Sequence, residues 1–323
     1  MLSNAGDPLL MKKIALLFAG QGAQYVGMGK DLAEAYPGVA ALFKRSDEVL
    51  RRSISSIAFD GPEDELTKTI NCQPALYIHG LACLGALKQE IGDFPIAAVA
   101  GLSLGEFTAH AAAGTFRVDT GLQLVARRAE FMQQACEATS GAMAAMIGAE
   151  ENAVRDLAAQ TDVDIANLNC PGQVVIAGEA TKVALAVSLA QEAGVRRAAT
   201  LNVAGAYHSR LMKSAYEKLA AVLEETPMGI PRYPVVCNID ALPVVDAARI
   251  RETLREQVTG TVRWQESIEY LADHEKIELF IELGPGKVLA GLASRIRKEV
   301  PTLSITDTAS LKAAVEKLKP LIA

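Results

Sequence analysis

The sequence predicts an α/β protein, with a large domain on a mostly parallel sheet flanked by helices and a small inserted domain of β-α-β-β-α-β order. Three observations predict it. Short, largely apolar runs recur along the chain, as in strands buried on both faces. Helical stretches lie between them, the pattern of parallel strands joined by crossovers. Residues 139–205 break that rhythm and follow the ferredoxin-like order instead.

In chain order, residues 1–10 (MLSNAGDPLL) lack the cationic start and apolar stretch of a secretory signal and are expected to be an extension outside the fold. Ile14–Ala19 (IALLFA) predicts a buried strand closed by Gly20. Gln73–Lys88 predicts a helix, the alanine-rich Ile96–Ala100 a second strand, and Thr120–Glu137 another helix. The small domain then opens with strand Met143–Ile147, helix Glu151–Gln160 and strand Asp164–Asn167. A Cys-Pro-Gly turn at 170–172 leads to strand Gln173–Ala177, helix Lys182–Ala193 and strand Arg197–Asn202. Beyond it come helix Tyr216–Glu225 and strands Tyr233–Ile239 and Ile277–Leu283. An amphipathic helix, ASLKAAVEKLKPLIA, ends the chain. The large domain is thus expected over 11–138 and 206–323, with a cleft against the small one, where ligands usually bind.

Composition excludes several classes. Half of the 323 residues are hydrophobic and 22% are charged, the balance of a soluble globular protein. Net charge is −6 with no long run of one sign, so nonspecific binding to nucleic acid or an anionic membrane is not favoured. No apolar run reaches the length of a membrane span. Cys72, Cys83, Cys136, Cys170 and Cys237 are scattered and never form a CxxC pair. They are expected to be reduced core residues of a cytoplasmic protein, with no disulfide framework and no metal site.

One stretch carries chemistry. In "VAGLSLGEFTAH" a serine, Ser103, stands two residues from a glycine on either side, between an apolar strand and a helix. At a strand-turn-helix elbow the flanking positions come close to neighbouring backbone, so glycine is needed there, and the serine projects as a nucleophile. The Leu104 N–H, at the helix start, is then the natural first donor of an oxyanion hole. A serine hydroxyl needs a base. Of four histidines, His79 lies mid-helix among apolar residues, His110 falls away from the elbow and His274 sits in an Asp-His-Glu loop. His208, where the chain re-enters the large domain, remains. Arg128 shares a helix face with Leu124 and Phe131. A guanidinium on an inward face wants an anionic partner, which makes it a candidate receptor for an anionic substrate group, with a snorkelling arginine as the alternative.

Six ordered motifs resemble the malonyl-CoA:acyl-carrier-protein transacylase family: FAGQGAQYVGMG (18–29), GLSLGEF (101–107), RAEFMQ (128–133), NLNCPGQVVIAG (167–178), GAYHSRLM (205–212) and IELGPGKVL (281–289). The resemblance covers Lys12 to about Lys298. It implies Ser103 as nucleophile, His208 as base, and the backbone N–H of Gln21 as second oxyanion donor beside Leu104. It implies Arg128 as partner of the malonyl carboxylate, and Gln257 as orienting His208 through its main-chain carbonyl. Asn167 and Asn169 would line the cleft. Leu102 replaces a histidine common before the serine, making that wall apolar, and Ala19 replaces a proline of the opening motif. Gly-Ala-Tyr before His208 resembles the form associated with malonyl rather than methylmalonyl units.

The activity implied is ping-pong transfer of malonyl from malonyl-CoA to the phosphopantetheine thiol of acyl carrier protein, without a cofactor, by a cytoplasmic monomer. An acidic carrier requires a local basic patch on this acidic chain. Arg196 and Arg197 are candidates, with Arg295, Arg297 and Lys298. Two other schemes stay open on sequence: an α/β-hydrolase using His274 and Asp240, in which the Gly-Gln-Gly loop and the inserted unit have no place, and a carrier-binding scaffold with a dead site.

Overall fold

A computed structural model describes residues 12–322, so the expected extension 1–10 lies outside the described residues. The large sheet holds six strands in the order β10-β9-β1-β2-β7-β8: β1 (Ile14–Phe18), β2 (Ala98–Gly101), β7 (Val235–Val236), β8 (Pro243–Val244), β9 (Leu279–Leu283) and β10 (Thr302–Ile305). All pairs are parallel except β7–β8. β1, β2 and β9 are buried along their whole length, as mostly apolar runs predict, and the carboxylate of Glu282 within β9 accepts the Leu289 and Ala290 N–H groups.

The register sets where chemistry can happen. Phe18 pairs with Gly101 on one side and with Leu283 on the other. Three loops therefore leave the sheet side by side: Gly20-Gln21-Gly22, the Ser103 elbow and the Gly-Pro-Gly loop after Leu283. Ligands of open α/β sheets bind at these carboxyl ends.

The small sheet is antiparallel, in the order β4-β5-β3-β6: β3 (Gly141–Ile147), β4 (Asp164–Cys170), β5 (Gln173–Glu179) and β6 (Arg197–Thr200). Helices Glu151–Thr161 and Ala180–Leu189 complete the ferredoxin-like unit around its own apolar core, which includes Met146, Leu157, Ile176 and Val183. Two backbone hydrogen bonds, Leu168 N–H to Val262 O and Val262 N–H to Ala166 O, both 2.9 Å, join edge strand β4 to the large domain. Arg210, two residues after His208, grips Asp164 with its side-chain and main-chain N–H groups and reaches Asp162. The segment carrying His208 is thus tied to the small domain.

Two departures from expectation have physical reasons. Tyr233–Ile239 shrinks to the two residues of β7, because Pro234 has no N–H for the ladder and Asn238 turns its polar groups inward to Glu106 and Gly101. Helix Ala180–Leu189 stops short of Ala193, because the chain turns through Ala190–Gly194. Helices Thr69–Ile91, Val118–Ala138 and Lys213–Glu225 stand close to where they are expected, and the terminal helix Thr308–Ile322 packs on the first of them. All five cysteines are buried and free.

The elbow glycines are required by space. A Cβ on Gly101 would lie 2.0 Å from the Gly105 backbone, and one on Gly105 would lie 2.1 Å from the Phe18 carbonyl. Relieving either contact would push the elbow helix Leu104–Ala113 away from β1 and β2, on which it packs. Gly105→Ala is expected to cost about 3 kcal/mol, which lowers the melting temperature by roughly 4–5 °C in a chain of this size. A thermal scan showing no loss would contradict this packing.

Buried histidines set a second expectation. Burial pushes His79 and His208 down to about 4 and His110 to about 3, so all three are neutral in the fold while the unfolded chain protonates them below about 6.5. Lowered folded values mean stability that is present above pH 6.5 and is lost as pH falls toward 4. Glu106, pushed up to about 7 by burial, acts in the opposite sense between about 4.5 and 7. Glu282, also pushed up by burial, acts in the same sense as Glu106, and the three histidines outweigh these two carboxylates, each group being worth about 1.4 kcal/mol per pH unit at full effect. The denaturation midpoint is therefore expected to fall from pH 6.5 to pH 5, and a flat or rising midpoint would refute neutral burial.

Candidate active site

Ser103 sits at φ 54° and ψ −108°, a conformation few residues adopt, at the entry of helix Leu104–Ala113. Its hydroxyl projects into the cleft while its N–H is held by Asn238 Oδ1 at 2.6 Å. The Ser103 hydroxyl lies 2.7 Å from His208 Nε2. His208 also has positive φ, 56°, and is 4% exposed. Its Nδ1 lies 2.7 Å from the main-chain carbonyl of Gln257. That carbonyl accepts only from an N–H, so Nδ1 carries the proton and Nε2 faces the serine as an acceptor. A neutral carbonyl gives an imidazolium less support than a carboxylate would. Desolvation first, and then the nearby Arg128 charge, account for the low value of the His208 imidazole.

Arg128 is 1% exposed on helix Val118–Ala138. Its guanidinium donates to Gln73 Oε1 at 2.7 Å, Gln257 Oε1 at 2.8 Å and the Ser103 hydroxyl at 3.2 Å, and stacks 5.1 Å over the Phe107 ring. All three oxygen partners are neutral, and its Nε has no partner among the described residues. A buried cation held only by neutral acceptors is a standing invitation to an anion. Burial lowers the guanidinium to about 10, which still leaves it charged at neutral pH.

A cavity of about 200 Å³ opens beside these groups. It is lined by Gln21 and Leu104, by Asn167, Asn169 and Met143 from the small domain, and by Leu102. The Asn169 Oδ1 is buried without a partner among the described residues. Leu102 makes the wall apolar where the family motif has histidine. The Gln21 side chain reaches Thr69 at 3.3 Å, and the Thr69 hydroxyl bonds in turn to that of Tyr207.

Gln21, Ser103, Leu104, Arg128, Asn167, Asn169 and His208 line the cavity, Gln257 lies behind it against Arg128 and His208, and three more residues support them. Gln73, Asn238 and Glu106 were not singled out by sequence. The sequence places Gln73 at the start of an expected helix, Asn238 inside the expected strand Tyr233–Ile239 and Glu106 in the elbow motif. A carboxylate in the first turn of a wholly buried helix, and an asparagine closing an apolar run, were the available signals. The alternative hydrolase pair does not assemble: His274 is exposed and stacks on Tyr270, while Asp240 pairs with Arg249. His79 is buried beside Cys83, and His110 bonds Thr115.

A family model described as "Acyl transferase domain" matches residues 15–314. The malonyl CoA-acyl carrier protein transacylase of Bacillus subtilis (strain 168) is 42% identical over 316 residues, 96% of this chain and 98% of that one. This chain belongs to the malonyl CoA-acyl carrier protein transacylase family. An acyl-carrier-protein S-malonyltransferase structure from Bartonella henselae superposes with a TM-score of 0.90 at 38% identity, covering 95% of this chain and 99% of that one. A malonyl-transacylase solved in complex with a type II polyketide synthase acyl-carrier protein gives 0.89 at 38% identity, covering 94% and 99%.

Within this transacylase fold the basic candidates divide. Arg297 is paired with Asp273 and Glu269, and Arg295 bonds Gln173 and the Pro171 carbonyl across the cleft mouth. Both are committed to internal contacts. Arg196 and Arg197 are exposed at the start of β6. Among the described residues no helix is long and apolar enough to cross a membrane.

Proposed function

We propose that this protein transfers malonyl from malonyl-CoA to the phosphopantetheine thiol of an acyl carrier protein through a malonyl ester on Ser103. The observation that carries the choice of acyl group is Arg128: a buried guanidinium without a carboxylate partner among the described residues, 3.2 Å from the candidate nucleophile.

His208 Nε2 takes the Ser103 proton as Oγ attacks the thioester carbonyl. The N–H groups of Gln21 and Leu104 receive the oxyanion, each such donor being worth about 3–4 kcal/mol of barrier. The C–S bond breaks, and the proton on His208 passes to the coenzyme A thiolate. The carrier thiol then gives its proton to His208 and attacks the ester, and Ser103 leaves as the protonated hydroxyl. These steps call for no metal or cofactor. Asn167 and Asn169 offer polar contacts to the pantetheine arm along the cleft. Arg196 and Arg197 supply the exposed positive charge that an acidic carrier needs. A cytoplasmic monomer serving fatty-acid or polyketide synthesis fits this reading.

The test is direct. Intact mass after incubation with malonyl-CoA should show one added malonyl group on Ser103, and added holo-carrier should remove it and gain the same mass. Hydrolysis in place of transfer would indicate a thioesterase, and no adduct would overturn the proposal. Charge reversal at Arg196 and Arg197 is expected to raise KM for the carrier about tenfold while leaving KM for malonyl-CoA unchanged, since rim charges govern encounter. An unchanged carrier KM would exclude that patch.

A further inference from the structure

Glu106 is wholly buried in the first turn of the elbow helix, beneath the site and out of contact with the cleft. Its Oε2 accepts the Gln257 side-chain N–H at 2.6 Å and the Asn238 main-chain N–H at 3.0 Å. Those two partners hold the reacting groups. Gln257 Oε1 accepts from Arg128, its Nε2 also donates to the Ser103 carbonyl at 3.0 Å, and its main-chain carbonyl holds His208. Asn238 Oδ1 accepts the Ser103 N–H, and its Nδ2 donates to the Gly101 carbonyl at 2.8 Å.

The direction of these bonds follows from what each atom can do. An amide has one donor end and one acceptor end. With its NH₂ end turned to Glu106, Gln257 must present its oxygen to Arg128. Turned over, it would set NH₂ against a guanidinium, donor against donor, and its oxygen against the Ser103 carbonyl and, with Glu106 ionised, against Oε2 as well, acceptor against acceptor. Arg128 can donate but never accept, so it cannot repair that arrangement.

We propose that Glu106 is a positioning residue for the transfer, an acceptor that fixes the orientation of the Gln257 amide and thereby aims Arg128 at the acyl pocket and seats Ser103 against His208. Its effect reaches the substrate only through Gln257 and Asn238. This inference rests on the transacylase function proposed above, and its test separates the two.

The first measurement is malonylation of the wild-type protein by intact mass, followed by transfer to the carrier. Failure there overturns the functional assignment, and with it the inference. With the wild type active, kcat and KM are compared for malonyl-CoA and acetyl-CoA in E106M and E106Q, normalised to the fraction of sites that acylate. Methionine keeps the bulk and removes the acceptor. E106M is expected to lower kcat for malonyl transfer at least tenfold and to narrow the malonyl:acetyl preference at least tenfold. Glutamine keeps an oxygen where Oε2 stands, so E106Q is expected to recover both to within about threefold of wild type. A purely structural role would lower the melting temperature and the acylatable fraction but leave the preference per active site unchanged. An unchanged preference in E106M overturns the inference, as does an E106Q variant that behaves like E106M. Should E106M fail to fold, E106A, which leaves room for water, is held to the same two readouts. In a background of Arg128→Ala, E106M should no longer alter the preference, and a residual effect on it would overturn the inferred route through Gln257 and Arg128.

Discussion

His208→Ala is expected to slow malonylation of Ser103 by about 10⁴-fold or more, the order seen when a serine nucleophile loses its base. A hydroxyl 2.7 Å from Nε2 is activated only if that nitrogen is an acceptor, and the Gln257 carbonyl on Nδ1 enforces this tautomer. The variant leaves the oxyanion donors in place, so a slow residual reaction remains and the protein stays folded. Quenched time courses read by intact mass measure the effect. A rate within tenfold of wild type would remove His208 from the mechanism. The same experiment carries a pH test. The base must be neutral, and the free enzyme holds His208 down to about 4. The acid limb of kcat/KM is thus expected near pH 4, well below the usual histidine value. Arg128→Ala should move that limb upward, since the guanidinium charge is the second cause of the low value after burial.

What could be read in advance follows physical range. Strands buried on both faces announce themselves as apolar runs, and the elbow as a serine framed by glycines, because those constraints are local. Cβ contacts near 2 Å at Gly101 and Gly105 show that the frame was dictated by sterics. His208 and Arg128 were reachable by elimination and by helix-face pattern, and their partnership with Ser103 by family resemblance. Gln73, Glu106 and Asn238 were not, since each works by a hydrogen bond between positions 55, 151 and 135 residues apart in the chain. A glutamine at a helix start looks the same whether it faces solvent or a guanidinium. The two-residue β7 is shorter than its composition predicts for the converse reason: YPVVCNI reads as a strand, but Pro234 lacks a ladder N–H and buried Asn238 bonds Glu106.

Arg128→Ala is expected to cut kcat/KM for malonyl-CoA by a factor of hundreds or more, and to leave acetyl-CoA nearly unchanged. In the folded protein the guanidinium is oriented by Gln73 and Gln257 with no carboxylate bound to it, so its remaining donor capacity is available to the substrate. Removing it leaves the malonyl carboxylate buried beside neutral amides, a loss of about 3–5 kcal/mol for one partner of a buried pair. Acetyl has no carboxylate to lose. With wild-type protein acetyl instead leaves the cation unpaired, which is the origin of the discrimination. Arg128→Lys separates charge from shape. An ammonium restores a positive point charge but cannot reproduce the fork that meets Gln73, Gln257 and a carboxylate together, so only part of the malonyl rate should return. Steady-state kinetics with both thioesters and a purified carrier decide the matter. If the malonyl:acetyl ratio of Arg128→Ala equals that of wild type, the anionic substrate is recognised elsewhere. The cavity lined by Asn167, Asn169 and Leu102 offers no second buried cation to take over the role.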